Sequence, residues 1–173
     1  MIAELPLHPK LVHLPVALAV LMPLLSGGVL FAWWRGWFHR GTWTIVLGVQ
    51  TLLVASGLLA MRSGEADEDR VEAIVGHAAL HEHEEAAEVF QWGSAVVLLL
   101  AMGPLLLRHR NAGLWAGAAV TAGSVVVLAL AVRTGTAGGE LVYRHGAAAA
   151  WATPTGTTTP VPAAMSRDDD DDR

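Results

Sequence analysis

Eight histidines are spread through a chain of 173 residues that contains no cysteine. Six of them, His8, His13, His77, His81, His83 and His145, stand near the ends of long apolar runs. The neutral imidazole is the commonest protein metal ligand. Two arrangements carry definite chemistry. On a helix, His77, His81, Glu84 and Glu88 fall at i, i+4, i+7 and i+11 and form one stripe. That donor set of imidazoles and carboxylates suits a divalent metal, with His8 or His145 as a further ligand. His83 lies ~120° around the same helix at 100° per residue, and heads the stripe Ala87, Phe90, Ser94, Val97 and Ala101. His13 likewise heads Ala17, Val20, Leu24 and Gly27. Small residues beneath both imidazoles would admit a neighbouring helix or a flat macrocycle. His13 and His83 are therefore the expected axial pair for haem b, with His145 next and Arg144 placed to neutralise a propionate. The competing reading of each histidine is a cap or a group bonded to interfacial water. His8, directly before Pro9, suits that role best.

Four apolar segments must position these residues. No Asp, Glu, Lys or Arg falls within residues 11–34, 41–61, 89–107 or 111–132, windows of 24, 21, 19 and 22 residues. About 20 apolar residues cross a hydrocarbon core. The chain is 53% hydrophobic and 16% charged. A soluble domain of this length would run out of polar cover over four all-round apolar helices, so a soluble enzyme is excluded. The expected fold class is an all-α integral membrane protein. It is a four-transmembrane-helix bundle over 1–151, with spans at about 11–34, 43–61, 89–107 and 113–132, and its partner is the lipid bilayer. Glu4 and Lys10 cancel ahead of the first run, which is too long for a signal peptide's core, so it is expected to stay as a span. Pro15 and Pro23 should kink it.

Between spans two and three, Arg62 to Glu88 is expected to form a polar, acidic loop or helix with nine acids. Trp33, Trp34, Trp37, Phe38 and Trp43 around Arg35, His39 and Arg40 read as an interfacial belt. Arg108 to Ala112 reads as a tight turn. After Arg133, Thr-Gly-Thr-Ala-Gly-Gly is expected to be flexible and Glu140 to Trp151 a short interfacial helix. Residues 152–173, rich in Thr, Pro and Asp, read as a disordered tail.

An even number of crossings puts the termini and the acidic segment on one side, with all sixteen acids. The other side has two short loops carrying Arg35, Arg40, Arg108 and Arg110. Positive charge concentrated in short loops places those in the cytoplasm of a bacterial inner-membrane protein, and the acidic side outside. The lack of cysteine excludes thiolate metal sites, iron–sulfur ligation and covalent haem. A net charge of −5 without a basic run argues against nucleic acid. No nucleophile–base pair, phosphate loop or H-E-x-x-H motif occurs, so catalysis is not expected.

Leu7-His8-Pro9 with Val12-His13-Leu14-Pro15, then His83-Glu84-Glu85 with Glu88, then Gly138-Gly139-Glu140-Leu141-Val142-Tyr143-Arg144-His145-Gly146 resemble a bacterial membrane family. That family is catalogued as domain of unknown function 2231, and the resemblance covers about residues 5–150. Its members typically have Phe where this chain has Leu14, which leaves the histidines intact. The resemblance implies a small helical membrane protein with histidines gathered on one side, and no established activity. Similar modules sometimes occur beside cytochrome-like domains, which points toward a redox or electron-transfer role. Three readings stand together. The first is a redox module holding haem b or a metal, and the second a non-redox metal binder. The third is an accessory subunit packed against a respiratory or other membrane complex through the small faces of Gly113, Gly117 and Gly123.

Overall fold

A chain crossing lipid must satisfy its backbone N–H and C=O groups internally, and these apolar runs do so as helices. The computed structural model describes residues 7–151, so the expected tail at 152–173 lies outside the described residues. Its α-helices are α1 (His8–Leu11), α2 (His13–Trp34), α3 (Trp43–Glu65), α4 (Glu68–Val75), α5 (His77–Ala101), α6 (Gly103–Leu106) and α7 (Arg110–Tyr143). Single 3-10 turns lie at Arg40–Thr42 and Ala147–Trp151, and no strand occurs among the described residues. Four stretches, His8–Trp34, Arg40–Glu65, His77–Leu106 and Arg110–Tyr143, are long and apolar enough to cross a membrane. The chain is thus the four-span helical protein its apolar windows imply. A third or less of each apolar window is buried inside the protein, which leaves the rest for lipid.

The helix limits differ from expectation in three places, and the acidic segment takes the helical one of its two expected forms. The stretch after Arg133 is helical rather than a linker: α7 runs unbroken to Tyr143. Thr134 Oγ1 donates to the carbonyls of Leu130 (3.1 Å) and Ala86 (2.9 Å), and Thr136 Oγ1 to Val132 (2.9 Å), so the hydroxyls reinforce the turns that the glycines weaken. The acidic segment is largely helical, formed by α4 and the first turns of α5, with Gly76 at φ 80° making the corner. Leu80, Leu141 and Ala147 form a small second core there, with Val71, Val75 and Ala79 packed on it. Span three breaks at Met102, because Pro104 near the start of α6 brings no backbone donor. In span one the break is at Val12, between α1 and α2. Pro15 sits in the first turn of α2, where a missing N–H costs nothing, and Pro23 is the interior proline.

The long helices pack in a ring, α2 on α3, α3 on α5, α5 on α7 and α7 on α2, so α2 and α5 face each other across the diagonal. Met22, Trp43, Val46, Leu53, Phe90, Val97, Val120 and Val127 fill the centre. Lipid is as apolar as these side chains, so the helices associate through close packing and interhelical hydrogen bonds. A methyl on Gly113 would meet the Trp33 ring at 2.7 Å, one on Gly117 the Trp43 ring at 3.2 Å, and one on Gly123 the Val97 side chain at 2.8 Å. The polar ties between α3 and α5 run the length of the bundle. Trp43 Nε1 donates to the Ala101 carbonyl (3.0 Å), Gln50 Nε2 to Ser94 (2.9 Å) and Gln91 Nε2 to Val54 (3.2 Å). At the tryptophan end, Arg110 Nη2 donates to the carbonyls of Trp33 (3.0 Å) and Trp34 (2.9 Å), closing the C-terminus of α2. Arg40 Nη1 does the same for Leu107 (3.3 Å).

Candidate functional site

The opposite end of the bundle is closed by two imidazoles. Pro9 starts α1 within its first turn, and α1 packs on α3, which carries His8 over the C-terminal turns of α3. His8 Nδ1 lies 2.9 Å from the Ala60 carbonyl and 3.3 Å from Ser63 Oγ. Ser63 Oγ gives its own proton to the Ala60 carbonyl at 2.6 Å, so both groups can only accept from His8. Nδ1 therefore carries the proton, and in the neutral ring Nε2 keeps its lone pair. His83, on the first turns of α5, meets His8 edge to face with ring centroids 6.2 Å apart and planes at 89°. Its Nδ1 is buried and makes no well-formed hydrogen bond, although the Thr134 carbonyl of α7 lies beside the ring. Buried polar atoms are nearly always paired, so an orphan marks a place where an ion or water belongs.

Each ring rests on a glycine of a neighbouring helix. A methyl at Gly64 on α3 would lie 3.2 Å from His8 Nδ1, and one at Gly138 on α7 would lie 3.1 Å from His83 Cε1. All four spans thus contribute: α1–α2 and α5 bring the imidazoles, while α3 and α7 bring the seats. Sequence reasoning named both histidines but not Gly64, Ala60 or Ser63. Gly138 stood in the motif of residues 138–146, where its pairing with histidine was the signal available.

The other residues of interest fall elsewhere. The structure brings His8, rather than His13, against His83; His13 is exposed on the first turn of α2. His145 is exposed beyond α7, on the rim of an open hollow with His77 and Glu82. Arg144 pairs with Glu140 at 3.1 Å, one turn back on α7. On α5, the rings of His77 and His81 stack 5.7 Å apart at 12°, and His77 Nδ1 bonds Glu72 Oε1 of α4 at 3.1 Å. Glu84 is half-buried and Glu88 exposed on the same helix. Among the described residues, no group of three or more His, Asp or Glu is arranged to hold a metal ion.

A family model described as "Predicted membrane protein (DUF2231)" matches residues 4–150. No curated protein and no solved structure matches the chain.

Proposed function

The chain belongs to the DUF2231 family of predicted membrane proteins, and from that premise we propose that it is a non-catalytic, metal-binding membrane module. A first-row divalent ion is held between His8 and His83 at the histidine end, with water or a partner group completing the shell. The observation that carries this reading is the buried, unpartnered Nδ1 of His83 beside the ring of His8. The Nδ1–H of His8 bonded to a backbone carbonyl supports it further. Ligating histidines commonly donate their second nitrogen in this way, which fixes the ring and raises its basicity. Imidazole suits copper, nickel and zinc, and the absence of cysteine removes the thiolates that soft ions prefer. A single ion fits better than haem b here. The two rings stand edge to face with centroids 6.2 Å apart, and glycine backbones flank both, which favours a small ligand between them over a macrocycle. The accessory-subunit reading gains nothing from the glycines of α7, because Gly113, Gly117 and Gly123 receive side chains of their own bundle.

Titration of the detergent-purified full chain with Cu²⁺, Ni²⁺ and Zn²⁺, followed by elemental analysis, tests the proposal. The expected result is one ion per chain. His8→Ala and His83→Ala each weaken binding at least ~10-fold, in line with the loss of a directing contact at a metal site. His13→Ala and His145→Ala leave it unchanged. Both ligands must be neutral, so affinity falls as the buffer is made acidic. Undiminished binding in His83→Ala would overturn the reading, and a Soret band dependent on His8 and His83 would assign haem b instead.

A further inference from the structure

Between α5 and α7 lies an open cavity of about 250 Å³ lined by Glu82, Ala86, Arg133, Thr136, Ala137 and Glu140. Arg133 is the first charge after the apolar run of α7, and Glu88 the last before that of α5, which puts the cavity at the membrane–water boundary. Its polar groups are of opposite kinds. Among the described residues Arg133 and Glu82 form no ion pair, and Glu140 uses Oε1 on Arg144 while Oε2 stays free. The Thr136 hydroxyl gives its proton to the Val132 carbonyl and offers only lone pairs. The cavity therefore presents one strong donor, the guanidinium, and three acceptors, two of them carboxylates from different helices. A simple anion would satisfy Arg133 but meet Glu82 and Glu140 with like charge, and a simple cation would do the reverse. The two alanines leave the space between them open.

We infer that this cavity binds a phosphate ester carrying an adjacent primary ammonium, the headgroup of an ethanolamine phospholipid. The phosphate sits on Arg133, whose planar guanidinium can donate two parallel N–H bonds to two phosphate oxygens. The ammonium sits between Glu82 and Glu140 with Thr136 as a third acceptor. The acyl chains run down the lipid-exposed side past Val132 and Val89. A choline headgroup has no N–H to donate to the carboxylates, and a glycerol headgroup has no positive charge, so both bind more weakly. The inference stands on residues separate from the histidine pair.

The test is native mass spectrometry of the full chain in detergent, loaded with phosphatidylethanolamine, phosphatidylcholine or phosphatidylglycerol of the same acyl chains. The ethanolamine lipid is expected to be retained about tenfold over the other two. That preference disappears in Arg133→Gln and, independently, in Glu82→Gln, with helix content by circular dichroism unchanged in both. Soluble glycerophosphoethanolamine is the second arm. Competition only at much higher concentration than the lipid assigns the site to the membrane, and competition at equal concentration assigns it to a free ester of the same chemistry. Equal retention of ethanolamine and choline lipids overturns the inference. So does an unchanged preference in both variants, which would place the lipid selectivity at other residues.

Discussion

A methyl group is enough to probe the histidine end. Gly64→Ala would drive Cβ against His8 Nδ1, and Gly138→Ala would crowd His83 Cε1, each at little more than 3 Å. Both substitutions are expected to lower metal affinity about 10-fold or more, the range seen when groups that orient metal ligands are disturbed. Isothermal titration calorimetry would show it, and unchanged affinity in both variants would separate the glycines from the site. The residue scale was partly legible in the sequence. His83 stands out because its stripe faces the bundle, but spacing does not tell whether His8 or His13 lies beside it; the structure places His8 there. His8 and His13 lie 500° apart at ~100° per residue, a net ~140°, so one alone can face the axis. Which one does is decided by the Ala60 carbonyl, 52 residues away, and no local spacing encodes that.

The last turns of α7 show why composition misleads at the scale of elements. Thr-Gly-Thr-Ala-Gly-Gly resembles a linker, yet each backbone group there continues a helix begun in an apolar setting, where water offers no competing partner. Nothing lies within 4 Å of a methyl placed on Gly135 or Gly139. Gly135→Ala and Gly139→Ala should therefore each raise stability by ~0.5–1 kcal/mol, the propensity difference in a helix interior. Thermal unfolding in detergent checks this, and a truly flexible segment would give no gain. Gly57 predicts the opposite sign. A methyl there runs into the Gln91 side-chain oxygen, so Gly57→Ala should cost ~1–3 kcal/mol, as overpacking does. Adding Gln91→Ala should remove the clash, giving a double mutant less destabilised than the sum of the two single changes. By contrast, the four long helices were plain from charge-free windows alone, since bilayer thickness fixes their length.

At the scale of the molecule, the two ends of the bundle differ in kind: one is shut by arginines on helix-end carbonyls, the other by imidazoles on glycines. Four crossings put these ends on opposite sides of the bilayer. The native chain has no cysteine, so His39→Cys and Ala78→Cys each introduce a single exposed thiol, one per end. In sealed vesicles of uniform orientation, an impermeant maleimide should label one and spare the other. Equal labelling would contradict the topology. Trp92 and Trp115, 73% and 78% exposed, point outward from α5 and α7 into the space that lipid takes. The diagonal placement of His8 and His83 has a mechanical consequence. Their separation reports how α5 sits against α3, because His8 is bonded to the last turns of α3 while His83 rides on α5. Helices longer than the local hydrocarbon layer tilt to fit it. Thinning the bilayer would then reshape the gap between the imidazoles, so the same protein should hold its ion with different strength in short-chain and long-chain lipid vesicles.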